Sequence, residues 1–174
     1  MRDILKDIFD NVNNWLKFAE AKNGAIIALN ATVIFGILKL GVINVNGNNI
    51  LNYYLYLAIF MLILSITIAL LSFVPRLTHS YIQFKKPLDK DNLLYFGDIA
   101  KYTPYKYEER LNLSITINDE NNSTLNVYYI NQIVINSKIT FIKFKQFEIA
   151  IWFTISAILT PLGGIILYYS QPRN

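Results

Sequence analysis

The chain has no cysteine and one histidine, His79, in 174 residues. The first absence excludes disulfides, thiolate zinc sites and a cysteine nucleophile. The second leaves no Ser-His-Asp set unless His79 supplies it, and a lone imidazole without a carboxylate cluster is a poor metal site. His79 follows Arg76 closely and reads as a juxtamembrane surface residue. Paired carboxylates are as scarce. Glu108-Glu109 and Asp119-Glu120 are sequence neighbours, so each pair points to different helix faces or lies in a loop, which does not suit general acid–base work. No glycine loop for phosphate is present. Charged residues make up only 16% of the chain against 53% hydrophobic, which leaves little room for a soluble catalytic domain. The expectation is a protein that is not an enzyme, with no catalytic residue, metal or resident cofactor.

What is present is three long apolar runs, Gly24 to Leu38, Tyr53 to Val74 and Ile149 to Tyr169. Each approaches the roughly 20 residues that a helix needs to cross about 30 Å of hydrocarbon. Lys39 interrupts the first run only near its end. Ten of the sixteen Lys and Arg residues fall between Arg76 and Glu148, and none between Asn44 and Asn52. The basic side belongs in the cytosol. The predicted order is a cytosolic amphipathic helix (1–23), a first span (24–43), a short external loop (44–52), a second span (53–75), a cytosolic helical region (76–148), a third span (149–169) and an external tail (170–174). The bilayer is therefore the first partner. The formal charge of +4 is spread along the cytosolic face, where anionic lipid accounts for it, and no nucleic-acid partner is expected. Residues 1–22 mix acids with bases, so no cleaved signal peptide is expected. The acceptor-like Asn121-Asn122-Ser123 falls on the cytosolic side, where it would not be glycosylated.

Local pattern fills in the rest. Ile4, Leu5, Ile8, Phe9, Val12, Trp15, Leu16 and Ala19 repeat at the spacing of one helical face. That helix either rests on the membrane with Trp15 and Phe18 at headgroup level or runs straight into the first span, as the lack of Pro or Gly before Gly24 favours. Pro75-Arg76 marks the exit of the second span. Thr103-Pro104 is an N-cap and N1 pair that should start a helix running through Leu111 and toward Ile115, and Asn118 to Ser123 breaks it. No breaker stands between Thr124 and Thr160, so one long helix should rise from the cytosol and become the third span; a strand over Val127 to Ile142 is the alternative. The fold class is an all-α membrane protein with three transmembrane helices, an amphipathic N-terminal helix and a cytosolic helical extension continuous with the third span.

Small residues line two stripes within the spans. Gly24, Ala28, Thr32 and Gly36 recur every four residues, and Ser156, Thr160 and Gly164 form a second line. They allow close backbone approach, either within one chain or between copies in a homo-oligomer. Asn23 and Asn30 lie on nearly one face of the first span, and an amide in hydrocarbon needs a partner or water. Asn30 can line a polar oligomeric pore or bond to Ser65, Thr67 or the third span. Pro161 with Gly163 and Gly164 is a possible hinge, although spans tolerate both residue types for packing alone.

Two cytosolic segments carry a family resemblance. Asn92-Leu93-Leu94-Tyr95-Phe96-Gly97-Asp98-Ile99-Ala100 resembles the N-L-x-F-F-G-D-I-A element of the Pycsar transmembrane effector family. Asn131-Gln132-Ile133-Val134-Ile135-Asn136-Ser137-Lys138-Ile139 resembles its Q-I-x-x-N-S-x-I helix, which leads through Lys143 and Lys145 into the last span. Ala19-Glu20-Ala21-Lys22 followed by Asn30 is similar to the family's approach to its first span, with Glu20 where Asp is usual. The resemblance runs from about Trp15 to about Tyr169, and its motifs are short. It implies an antiphage effector of the bacterial inner membrane that senses a cyclic nucleotide, a cyclic pyrimidine monophosphate, made by a partner cyclase. The effector then impairs the membrane and arrests or kills the infected cell.

For the matched residues, two roles stand side by side. Gly97 and Asp98 fit a tight turn whose carboxylate caps the backbone that follows. The sharper role is ligand contact by Asp98, Lys101, Asn131, Gln132, Asn136, Ser137 and Lys138, whose amide, hydroxyl and ammonium groups suit a base or phosphate without metal. Gln132, Asn136 and Lys143 share a stripe that could equally bond to Asp98 or another helix. A membrane scaffold that recruits a soluble partner through the N-terminal helix and the patch from Asn92 to Lys101 is the alternative function.

Overall fold

The computed structural model describes residues 2–39, 49–74, 84–114 and 124–170. Five helices follow in order: α1 (Arg2–Lys39), α2 (Asn49–Leu71), α3 (Phe96–Ile99), α4 (Pro104–Ser114) and α5 (Thr124–Ser170). No strand occurs among the described residues. Helices α1, α2 and α5 are long and apolar enough to cross a membrane. The N-terminal helix does not lie apart from the first span, because α1 is unbroken over 38 residues. Likewise α5 runs through 47 residues with Pro161 inside it, so the long-helix expectation holds and the strand alternative over Val127 to Ile142 does not. The expected Pro75-Arg76 exit, His79, the breakers at Asn44 to Asn48 and at Asn118 to Ser123, and Ile115 lie outside the described residues.

The chain divides into two compact units. One, the charged unit, comprises residues Met1–Glu20 and Pro75–Phe144; the other, the apolar unit, comprises Ala21–Val74 and Lys145–Asn174. Two of the three points at which the chain passes between them fall inside the helices α1 and α5.

The charged unit has a core of large side chains. Leu5, Ile8 and Val12 come from α1, Phe96 and Ile99 from α3, Tyr102 from the turn after it, Tyr107 and Leu111 from α4, and Ile130, Ile133 and Val134 from α5. The α1 and α5 residues recur at three- and four-residue intervals, so each helix turns one stripe inward. Full burial of each large side chain stabilises by about 1.5–3 kcal/mol. Helix α4 starts where Pro104 is tolerated, and Lys106 N–H donates to the Thr103 hydroxyl (3.4 Å), the weak N-cap that the Thr-Pro pair predicts.

The apolar unit is packed by small groups instead. Ala69 and Ala150 surround Ile26 in one cluster, and Ala58 and Ala157 flank Leu62 in another. Its large side chains, among them Phe35, Tyr53, Phe60, Trp152 and Ile166, face outward. That distribution suits hydrocarbon, where outward apolar groups cost nothing and tight helix approach supplies the attraction.

Candidate functional site

The signature segment 92–100 folds as a loop closed onto α3 by one ammonium and two carboxylates. Lys101 Nζ donates to Asp91 Oδ1 at 2.7 Å and to Asp98 Oδ1 at 2.5 Å. The second oxygens are also used: Asp91 Oδ2 accepts Leu88 N–H at 2.8 Å, and Asp98 Oδ2 accepts Asn92 N–H at 3.0 Å. Asp98 therefore caps the backbone before it, not after it as the Gly-Asp turn had implied, because α3 is a single short turn and the open N–H groups belong to the preceding loop. With 3% of the Asp91 side chain and 15% of the Lys101 side chain exposed, this is an internal ion cluster. Burial pushes the Asp91 carboxyl up, but the Lys101 hydrogen bond, the Leu88 N–H and the Lys101 charge outweigh it and hold it below the usual range. The hydrogen bonds that the Lys101 ammonium donates to Asp91 and Asp98 raise its own pKa. Tyr107 locks the other side of the loop: its hydroxyl donates to Leu93 O at 2.7 Å, and burial pushes its ionisation up. Gly97 leaves room for the Tyr95 ring, which a Cβ there would meet at 2.5 Å and push aside.

The second signature segment lies on α5, and its polar residues turn to different faces. Asn136 Nδ2 donates to Asn13 Oδ1 on α1 at 2.8 Å. Ser137 is fully buried and its hydroxyl has no hydrogen-bond partner among the described residues; Gln132 is exposed and Asn131 half-buried. Lys138 Nζ stands 5.7 Å from the centroid of the Phe84 ring, and burial lowers its pKa. Lys143 pairs with Glu20 at 3.0 Å. The expected ligand set is thus divided: Asp98 and Lys101 pair with each other and with Asp91, Asn136 joins two helices, and Lys138 stands apart. Asn13, Glu20 as an ion-pair partner, Asp91 and Phe84 were not singled out from sequence. An asparagine at mid-helix, Asn13, is the one signal that could have pointed to a helix–helix bond.

The apolar unit has its own polar centre. Asn30 Nδ2 donates to Ser65 Oγ at 2.8 Å and to Thr154 Oγ1 at 3.0 Å, joining α1, α2 and α5. Ser65 Oγ donates to Ala150 O at 2.7 Å. The Thr154 hydroxyl has both Ala150 O and Asn30 Oδ1 at 3.1 Å. All three side chains are buried. Asn30 takes Ser65 and the third span, which is one of the two roles open to it. Thr67 instead bonds back to Ile63 O at 2.9 Å.

The small-residue stripes divide too. Ala28 and Thr32 are exposed, a Cβ at Gly36 would meet nothing within 4 Å, and one at Gly24 would make only an ordinary contact at 4.0 Å with Phe73. The first stripe therefore faces away from the helix contacts of its own unit, which run through Asn23, Ile26 and Asn30. On α5, Gly164 is buried and a Cβ there would sit 2.6 Å from the Tyr54 ring, Thr160 donates to Ser156 O at 2.7 Å, and Ser156 is exposed.

Three helices long and apolar enough to span, with a charged helical unit and only helices as regular structure among the described residues, define a multi-pass membrane protein. Residues 4–170 match a family described as the Pycsar effector protein domain, and the chain belongs to that family. It is an antiphage membrane effector of the Pycsar system. No curated protein and no solved structure matches it.

Proposed function

We propose that this effector responds to a cyclic nucleotide, a cyclic pyrimidine monophosphate from a partner cyclase, and then impairs the bacterial inner membrane without catalysing a reaction. The charged unit receives the signal on the cytosolic side, and the apolar unit carries out the damage. The observation that carries this reading is α5, a helix without interruption whose first part bears the polar signature segment and whose last part contributes Thr154 to the buried polar centre. A shift of α5 against α1 and α2 would break the Asn30–Ser65–Thr154 bonds and open polar groups to one another across the bilayer. Self-association belongs to the same proposal: the outward stripe of Ala28, Thr32 and Gly36 lets a second copy approach closely.

The test is growth and membrane potential in cells induced for the protein, with and without supplied cyclic UMP, cyclic CMP, cyclic AMP and cyclic GMP. Depolarisation and arrest are expected only with a cyclic pyrimidine monophosphate; unchanged potential under every condition would refute the reading. Orientation is read in parallel from single cysteines placed in the cysteine-free chain. Lys86→Cys should react from the cytosol and Asn48→Cys from outside.

A further inference from the structure

Four cations of the charged unit are half-buried among the described residues: Lys101, Arg110, Lys138 and Lys143. Three meet a carboxylate. Lys101 has Asp91 and Asp98, Arg110 has Asp89 at 3.3 Å, and Lys143 has Glu20. Lys138 has none within ion-pair distance among the described residues, and its ammonium stands over the ring of Phe84, 5.7 Å from the centroid. That distance is near the roughly 6 Å limit of a useful cation–π contact, which at its weak end stabilises by about 0.5 kcal/mol. Burial depresses the Lys138 ammonium. A half-buried charge left without its counter-charge is a position where an external anion gains what the protein has not supplied.

The surroundings restrict that anion. Phe84 packs against Phe141 with centroids 5.6 Å apart, so the ring beside the ammonium is itself held by a second ring. Lys85 and Lys86 follow Phe84 in sequence and are exposed. Asn131 lies seven residues before Lys138, on the same face of α5 and roughly 10 Å along the axis, with donor and acceptor groups for a base edge. A phosphate at Lys138, a planar ring near the phenyl groups and an amide about a nucleotide's length away make one consistent set. Asp98, Lys101 and Asn136, by contrast, are already engaged within the protein.

We propose that Lys138, with Phe84 beside it, forms a binding site for a phosphate group. The site rests on the cyclic-nucleotide reading above for its ligand, though not for its chemistry: the phosphate can come from a free mononucleotide or from an anionic lipid headgroup. The full chain in zwitterionic detergent is titrated calorimetrically with cyclic UMP, cyclic CMP, cyclic AMP and cyclic GMP, and with the matching nucleosides. Nanodiscs of phosphatidylglycerol and of phosphatidylcholine form a separate arm, read by the shift in melting temperature.

Wild type should bind a cyclic mononucleotide and not its nucleoside. Lys138→Gln should lose at least tenfold in affinity, Lys138→Arg should stay within a few-fold, and Phe84→Leu should fall between them. Lys106→Gln, an exposed cation on α4, is the control and should match wild type. Melting curves of the free variants separate loss of binding from loss of fold. If wild type binds a nucleotide and Lys138→Gln binds it equally well, the site is wrong while the nucleotide reading stands. If no nucleotide binds but phosphatidylglycerol stabilises wild type and not Lys138→Gln, the site stands with lipid as its source and the nucleotide reading falls. If neither response depends on Lys138, the proposal is overturned.

Discussion

In the charged unit Tyr107, Phe96, Ile133 and Leu5 are inside and the ions, Lys138 apart, sit at the surface or pair with one another; in the apolar unit Phe35, Tyr53, Phe60 and Trp152 face outward, while Asn30, Ser65 and Thr154 are inside. The same backbone element, the α-helix, serves both. What differs is the solvent each unit is built for. Water drives large apolar groups together and leaves charges at the edge. Hydrocarbon gives no such drive, so helices are held by close approach at Ala58, Ala69, Ala150 and Ala157 and by hydrogen bonds that have no competing water. The large side chains and the joined polar side chains therefore change places between the two units: the charged unit buries its rings and aliphatic chains, and the apolar unit buries the Asn30–Ser65–Thr154 centre.

The largest effect that would test this contrast is in the water-type core. Tyr107→Ala should destabilise the charged unit by about 3–5 kcal/mol, since it removes a fully buried ring. A chemical-denaturant series in detergent measures it, and a loss under about 1 kcal/mol would mean that this core does not carry the unit. Next in size is Asp91→Asn, expected to cost about 2 kcal/mol because a buried ammonium loses its better-shielded partner while keeping Asp98. The pH dependence has two ends. Asp91 is depressed, so its contribution is present above its ordinary value of 3.8 and is lost as pH falls through the lowered value. Lys101 is raised, so its contribution is complete below its ordinary value of 10.5 and is lost as pH rises through the raised one. Wild type should lose stability at both ends, and Asp91→Asn should flatten the acid limb; melting temperature against pH decides this.

Asn30→Ala should be milder, about 1 kcal/mol, although Asn30 joins three helices. Ser65 and Thr154 still have Ala150 O as an acceptor, so neither hydroxyl is left orphaned. Steric-trap unfolding in bilayers reads the difference, and a loss above about 3 kcal/mol would show that the amide holds more than these bonds. The smallest effect is Gly36→Ala, within about 0.5 kcal/mol for one chain because its added Cβ meets nothing within 4 Å. If the same substitution lowers cross-linking yield between copies in membranes, the outward stripe is a contact between chains; unchanged yield removes it from that role.

Much of this architecture was legible in the residues. The apolar runs, the absence of breakers between Thr124 and Thr160 and the Thr103-Pro104 pair fix spans, the long helix and the start of α4, since these depend on local propensity and on hydropathy over a window. Periodicity also picks out Leu5, Ile8 and Val12 as one buried face. The candidate site was legible in part. That Asn30 needs a partner or water followed from the cost of an amide in hydrocarbon, with Ser65 one of several candidates, and Lys138 stood in the second signature segment. That segment looked like one polar set, yet neighbouring positions on a helix are turned about 100° from one another, so Asn136 went to Asn13, Ser137 to the core and Lys138 to Phe84.

That this chain is a helical membrane protein with three spans follows from the residues alone, because about twenty apolar residues in a row have no other low-energy place to be. So does the choice of which faces of α1 and α5 turn inward, through a period that any helix obeys. Which charges cancel is set instead by folding in three dimensions. Asp91, Asp98 and Lys101 meet through a loop closure, Glu20 and Lys143 meet across more than a hundred residues of chain, and Lys138 meets no acid among the described residues. Coulomb energy depends on distance in space, and separation along the chain does not carry that distance.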